Sequence, residues 1–93
     1  MTFKVSKATK EKLLEKHRVH IYEVEEALED EARVQRRMSK NKKRRETVYK
    51  YIGRTITGRL LQLYLVHKPD ETWLMSAYEA DNADRKLYLS SQQ

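Results

Sequence analysis

The chain has 93 residues and no cysteine, and its 20 Lys and Arg outnumber its 14 Asp and Glu, giving a formal net charge of +6. This length predicts one domain, residues 1–93, with a small core. The absence of cysteine excludes disulfides, thiolate zinc sites and cysteine nucleophiles. The apolar stretch around Leu60 to Val66 is too short to span a bilayer, and MTFKVSKATK lacks the apolar core of a secretory signal. We therefore expect a cytoplasmic protein with no membrane partner.

The positive charge is concentrated in the middle of the chain. Residues 33–59 contain eleven Lys or Arg and one acidic residue, whereas residues 20–31 contain six acidic residues and no Lys or Arg. A basic block of this kind is the usual electrostatic footprint of a nucleic-acid or acidic-protein partner. Lys and Arg that neutralise phosphates bind largely independently of sequence and lose affinity steeply with salt. We therefore predict that the block binds a polyanion.

The first third of the chain predicts two helices. ATKEKLLEKH, residues 8–17, has helical propensity. IYEVEEALED places Ile21, Val24 and Leu28 on one stripe of an amphipathic helix whose other face is acidic. HRVH between them predicts a corner. The following residues 33–45 are predicted to form an exposed, mobile basic loop, because seven Lys or Arg within residues 36–45 would repel one another in a continued helix.

The period of the sequence then changes from helix to strand. ETVYKYI is rich in β-branched and aromatic residues, and LLQLYLVH and TWLMSA follow it at hairpin distances. The first connection, GRTITGR, has a glycine at each end, and Pro69 in the second stands where a type I turn favours proline. Three strands with short links predict an antiparallel meander. A short additional strand near residues 2–6 is compatible with it.

The tail YEADNADRKLYL returns to helical spacing and predicts a C-terminal helix. Ser76 and Glu79 are spaced as its capping box, and Asp81 is the alternative N-cap. The fold class is therefore α+β, with two N-terminal helices on a three-stranded antiparallel meander closed by a C-terminal helix. The predicted core residues are Leu14, Ile21, Val24, Leu28, Ile52, Leu61, Leu63, Leu65, Leu74, Met75 and Leu87.

Three segments, spanning about residues 10–90 together, resemble the BrnT family of bacterial toxins. ETVYKYIGRTITGRLL is similar to that family's strand–Gly–turn–Gly segment. LMSAYEADNADRKLY follows the family's C-terminal signature at Ser76, Ala77, Ala80, Arg85 and Tyr88. EKHRVHIYEVEEAL resembles the family's KHGVSFEEA segment, with matches at Lys16, His17, Val19 and Glu23.

This resemblance implies a RelE-like fold, a ribonuclease that arrests growth, and a cognate antitoxin with a ribbon-helix-helix DNA-binding part. We therefore expect the toxin of a type II toxin–antitoxin system, in a hetero-oligomer with its antitoxin. The chain departs from the family at Val48, Trp73 and Tyr78, where members often carry Arg, and at Arg18, where they carry Gly. The alternative is a non-catalytic nucleic-acid-binding or regulatory protein that kept the fold.

Metal-free RNA cleavage needs a base for the 2′-hydroxyl, an acid for the leaving 5′-oxygen, and positive charge near the phosphorane. The predicted catalytic residues are Arg54, Arg85, Tyr78 and His17; Arg54, Arg85 and His17 lie in the segments that resemble the family, and Tyr78 replaces a family Arg. The predicted RNA-binding residues are Arg44, Arg45, Lys50 and Arg59. No metal or other cofactor is expected, since His17 and His20 lack a third ligand at a fixed spacing.

Each of these residues also has a bland structural explanation. The Lys and Arg side chains could be solvated charges of hairpin turns and a helix. Tyr78 could be a packing aromatic residue, and His17 could be a structural histidine. A further aromatic set could form a stacking platform for single-stranded RNA, although a small core should claim at least two of its members. This set is Tyr49, Tyr51, Tyr64 and Trp73.

Overall fold

The computed structural model describes residues 1–92, which form three helices and a four-stranded antiparallel sheet of order β1-β2-β3-β4. The elements are α1 (Lys7–His17), α2 (Ile21–Glu29), β1 (Val34–Asn41), β2 (Glu46–Arg54), β3 (Leu60–His67), β4 (Thr72–Glu79) and α3 (Asn82–Ser90). The predicted α+β class and three helices are confirmed. None of the helices within residues 1–92 has the length and apolarity needed to cross a membrane.

The segment predicted as a basic loop, residues 33–45, is mostly strand β1, so the predicted three-stranded meander is wrong by one strand. β1 pairs with β2 along its length, with a bulge between Arg37 and Ser39. Only residues 42–45 form the turn, where the Asn41 side chain accepts a 3.2 Å hydrogen bond from the Arg44 N–H. Repulsion between the Lys and Arg side chains does not prevent this strand, because successive side chains point to opposite faces of the sheet and the charged groups extend into water.

Helices α1 and α2 cover one face of the sheet, where the larger hydrophobic cluster lies. α1 packs on β4, and α2 packs on β2 and β3. The sheet contributes Tyr51, Leu61, Leu63, Leu65, Leu74 and Ala77, and the helices with their connection contribute Leu13, Val19, Val24, Ala27 and Leu28. The leucines of β3 alternate along the strand, so its intervening residues point to the opposite face.

Helix α3 packs on that opposite face and covers only one end of it. Ile52 and Leu60 meet Ala80 and Tyr88 there in a second, smaller cluster. Farther along the same face, Tyr64, Ser76 and Tyr78 are only partly buried. We call this uncovered part the open face; its remaining strand residues include Val48, Lys50, Val66 and Trp73, which the strand register aligns across β2, β3 and β4.

The two ends of the chain resolve two predicted details. Helix α3 begins at Asn82, and its N-cap is Asp81, whose side chain accepts a 2.8 Å hydrogen bond from the Asp84 N–H, so the alternative N-cap is confirmed. The capping box predicted from Ser76 and Glu79 is wrong, because both residues lie in β4. In place of an additional strand near residues 2–6, Lys4 forms an isolated parallel bridge with Trp73.

Two predicted core residues are exposed. Leu14 is 43% exposed and Met75 is 51% exposed. Leu13, the preceding residue of α1, points to the sheet and leaves Leu14 outside. Met75 lies where the β3–β4 register shifts, between the pairs Tyr64–Ser76 and Leu65–Leu74, and the extra residue of such a bulge is unpaired and interrupts the alternation of the strand.

Gly53→Ala should destabilise the fold strongly. A Cβ atom at Gly53 would lie 2.1 Å from the Ala27 carbonyl oxygen, and this backbone atom of α2 cannot yield without moving the helix. Because overpacking costs about 1–3 kcal/mol even where side chains can adjust, we expect a loss of at least about 3 kcal/mol in the free energy of unfolding, measured by urea denaturation.

Gly58→Ala is the matched control. A Cβ atom there meets nothing within 4 Å, but φ is +94°, so we expect only the backbone penalty of about 1–2 kcal/mol. Equal losses in the two variants would contradict the close approach of α2 to β2.

Candidate functional site

Cationic and aromatic side chains form a row across the open face. The Lys50 ammonium lies 5.8 Å from the centroid of the Tyr64 ring, and the Tyr64 and Tyr78 rings stack with centroids 6.0 Å apart. At the end of α1, the His17 ring lies 5.2 Å from the Tyr78 ring. Arg36 is the β1 partner of Lys50 in the strand register. We call Arg36, Lys50, Tyr64, Tyr78 and His17 the aromatic–cationic row.

Buried polar groups hold the middle of this row. The Tyr64 hydroxyl donates a 2.9 Å hydrogen bond to the Gln62 side-chain oxygen, and the Gln62 amide donates one of 2.9 Å to the Glu79 carbonyl. The Lys50 ammonium donates a 2.6 Å hydrogen bond to the Asp84 carboxylate, which is almost fully buried at the start of α3. Tyr64 and Lys50 are therefore fixed from beneath and beside the face.

The protonation states of the row follow from these contacts. Burial lowers the pKa of Lys50, but the hydrogen bond and charge of Asp84 outweigh it and hold that pKa above its ordinary value. The neighbouring Tyr64 hydroxyl and burial raise the pKa of Tyr78 above its ordinary value. Near neutral pH the row thus presents a protonated ammonium and a neutral phenol that retains its proton.

Arg59, predicted to bind RNA, bonds within the protein and positions His17. Its guanidinium donates hydrogen bonds to the backbone carbonyls of His17 at 3.0 Å and Arg18 at 2.6 Å. It also donates to the Glu23 carboxylate at 3.2 Å and the Glu79 carboxylate at 3.1 Å. Because these partners come from the α1–α2 corner and the end of β4, Arg59 fixes the end of α1 beside the open face.

Arg54, predicted to be catalytic, lies at the far end of α3 from Lys50. Its guanidinium carbon is 5.2 Å from the centroid of the Tyr88 ring, and Ile52, covered by α3, stands between Arg54 and Lys50 in β2. The Arg54 N–H donates a 2.8 Å hydrogen bond to Asp30. These contacts stabilise the docking of α3 and do not bring Arg54 to the row.

The other predicted residues are exposed. Arg85 lies on the exposed surface of α3, and Arg44 and Arg45 lie in the β1–β2 turn. Within residues 1–92, none of the three side chains makes a salt bridge under 4.0 Å. Of the eight predicted site residues, the structure brings together Lys50, Tyr78 and His17.

The aromatic set divides between the two faces of the sheet. Tyr51 is buried in the larger cluster and Tyr49 packs against it. Tyr64 lies on the open face, where alternation along LLQLYLVH could have assigned it, since Leu61, Leu63 and Leu65 occupy the other parity. Sequence reasoning placed Arg36 in the basic block but not beside Lys50, and it missed Asp84; the Asp81–Asp84 spacing marks a helix start but gives no sign of the contact with Lys50.

No protein-family model matches the chain, and no curated protein matches it. Within residues 1–92 there is no group of three or more His, Asp or Glu side chains that could hold a metal ion.

Asp30 should make the docking of α3 sensitive to acid. Burial raises the pKa of Asp30, but hydrogen bonds from the Tyr88 hydroxyl and the Arg54 and Ala32 N–H groups outweigh it and hold the pKa below its ordinary value. A carboxyl group with a lowered folded pKa contributes stability that is fully present above the unfolded pKa and is lost as pH falls through the folded pKa. We therefore expect the free energy of unfolding to fall below about pH 4.

Asp30→Asn should lower the stability at pH 7 and reduce this loss between pH 5 and pH 2, as measured by urea denaturation at each pH. Tyr88→Phe should cost about 1.5–3 kcal/mol at pH 7, the usual contribution of a hydrogen bond to a charged group. Asp70→Asn, in the exposed β3–β4 turn, is the matched control. An unchanged acid dependence in Asp30→Asn would contradict this assignment.

Proposed function

We propose that the chain is the toxin of a type II toxin–antitoxin system, a BrnT-like protein of RelE-like fold that cleaves RNA in the cytoplasm without a metal ion. The observation that carries this proposal is the aromatic–cationic row on the open face. Stacked aromatic rings beside Lys and Arg form the kind of surface that binds single-stranded RNA, because nucleobases stack on the rings and phosphates pair with the cations.

The row offers the three functions that the reaction needs. The 2′-oxygen attacks the adjacent phosphorus and the bond from phosphorus to the 5′-oxygen breaks, leaving a 2′,3′-cyclic phosphate and a 5′-hydroxyl. His17 takes the proton of the 2′-hydroxyl. The Tyr78 hydroxyl, which is protonated before the reaction, donates its own proton to the leaving 5′-oxygen. Lys50 stabilises the charge that develops on the phosphorane. Solvent then returns the proton from His17 to Tyr78.

Two backbone positions support the family assignment. Arg18, where the resemblance has glycine, ends α1 with φ +56°, a left-handed conformation that favours glycine. Gly53 matches the first glycine of the family's strand–Gly–turn–Gly segment, and there the Ala27 carbonyl leaves no room for a Cβ atom. The conformation at Arg18 thus favours the glycine that the family carries, and the space at Gly53 admits only glycine. The partner we propose is a cognate antitoxin with a ribbon-helix-helix DNA-binding part.

A non-catalytic nucleic-acid-binding protein of the same fold is the second candidate, and one observation favours it. The three positions where the family often carries Arg, namely Val48, Trp73 and Tyr78, all lie on the open face. Val48 and Trp73 pair with the same residue of β3, Val66. The three cations that the family carries and this chain lacks would therefore all lie on the open face. Their loss weakens RNA cleavage on that face more than it weakens RNA binding.

RNA cleavage in EDTA tests the proposed reaction. A single-stranded RNA oligonucleotide should yield products ending in a 2′,3′-cyclic phosphate. Because proton transfer by one positioned group contributes about 10²- to 10⁴-fold, His17→Gln should slow cleavage by at least about 100-fold. Tyr78→Phe should slow it as well, whereas Tyr22→Phe, a tyrosine exposed on α2, should not.

RNA affinity separates the two candidates. Tyr64→Ala should weaken binding of the same oligonucleotide by about tenfold, since stacking of one base contributes about 1–3 kcal/mol, and Tyr22→Ala should leave it unchanged. Binding that depends on Tyr64 without any cleavage supports the non-catalytic candidate. A protein that neither binds nor cleaves the oligonucleotide would contradict the aromatic–cationic row as a surface for single-stranded RNA, which is the observation that carries the proposal.

A further inference from the structure

The two edges of the sheet are treated differently by the fold. At the β4 edge, the Lys4 N–H donates a 2.8 Å hydrogen bond to the Thr72 carbonyl, and the Lys4 carbonyl accepts one of 2.8 Å from Leu74. The N-terminal segment thereby covers the start of that edge. β1 pairs only with β2, and within residues 1–92 nothing pairs with its outer edge. An unpaired edge presents N–H and carbonyl groups that can accept another strand.

The exposed edge strand is basic. Every residue of β1 after Val34 is exposed, and the strand carries Arg36, Arg37 and Lys40 with no acidic residue. None of these three bases makes a salt bridge within residues 1–92. Arg37 and Lys40 pair with Tyr49 and Thr47 and share one face of the hairpin, so their charges are available to a neighbouring strand.

This charge selects the occupant of the edge. A second copy of β1 would bring Arg37 and Lys40 of each copy close to like charges, and like charges opposite one another in a sheet are destabilising. An acidic strand meets the same residues with opposite charge and gains from each such pair. An RNA strand has phosphates that can pair with the Arg and Lys side chains. It has no peptide groups that can pair with the free N–H and carbonyl groups of the edge.

We propose that β1 binds an acidic, extended segment of a partner protein, which adds to the sheet as a fifth strand. Backbone hydrogen bonds along the edge supply the affinity, and Arg37 and Lys40 select acidic side chains at alternate positions of the segment. This inference does not depend on RNA cleavage, because the outer edge of β1 contributes no group to the proposed reaction.

The test uses a capped nine-residue peptide in which glutamate and threonine alternate. Binding should protect from hydrogen exchange the outward-facing backbone amides among residues 34–41, which do not bond to β2. Two N-methylated versions, carrying methyl groups on alternate residues in opposite phase, keep the charge but block hydrogen bonding along one side of the peptide. One version should retain its affinity and the other should lose at least about tenfold, because a paired strand uses only one side. Equal affinities of the two versions would overturn strand addition.

Charge variants supply the matched comparison. Arg37→Gln with Lys40→Gln should weaken peptide binding by about tenfold, since it removes two pairs across the new strand. Lys42→Gln with Lys43→Gln removes the same charge from the adjacent turn and should weaken binding less. Equal losses would mean general attraction and would overturn the proposed register.

The other occupants give distinct results. If poly(U) protects the amides of residues 34–41 and the acidic peptide does not, the edge is a nucleic-acid surface and the proposal fails. Sedimentation of the chain alone should show no dimer, and the Arg37→Gln, Lys40→Gln variant should show none either. Such a dimer, formed through β1, would identify a second copy as the occupant and would likewise overturn the proposal.

Discussion

The site depends first on Arg59, whose guanidinium bonds to four residues from three parts of the chain. It holds the carbonyls of His17 and Arg18, the Glu23 carboxylate at the start of α2 and the Glu79 carboxylate at the end of β4. Glu23 is buried, so the pair is shielded from solvent and loss of one partner would leave a costly unpaired charge. The strained corner at Arg18, with φ +56°, is retained by the same contacts. Because His17 immediately precedes that corner, the distance between His17 and Tyr78 follows from the position of Arg59.

Helix α3 determines how much of the opposite face stays open. It is held near both ends, by Lys50 with Asp84 at its start and by Tyr88 with Asp30 near its end. Between them it buries Ile52 and Leu60, and it leaves Tyr64 and Tyr78 accessible. Lys50 belongs to both environments, since its ammonium bonds to Asp84 and lies near the Tyr64 ring. The residue that anchors the helix is therefore also the cation nearest to the stacked rings.

The periodic elements could be predicted from sequence, and the contacts between distant residues could not. Three helices and strands β2 to β4 follow from apolar spacing and turn residues. β1 was not predicted because its sequence, VQRRMSKN, has no apolar alternation. It forms a strand by pairing with β2, and such pairing depends on tertiary structure more than on the propensity of the residues. The same limit applies to the site. His17 and Tyr78 could be selected by residue type, but nothing near Arg59 or Asp84 in sequence indicates their partners, which lie 20 to 42 residues away.

The β1–β2 hairpin connects the two surfaces through its alternating side chains. Arg36 pairs with Lys50 and belongs to the open face, whereas Arg37 and Lys40 pair with residues of the other face. An acidic strand added at the edge would lie beside Arg36 as well as Arg37, since both are in the edge strand. Its charge would lower the positive potential at the Arg36 end of the aromatic–cationic row, within the range over which charges act at physiological salt. The proposed occupancy of the edge and the proposed capture of a polyanion on the open face would therefore oppose each other through Arg36, without requiring that the two ligands overlap.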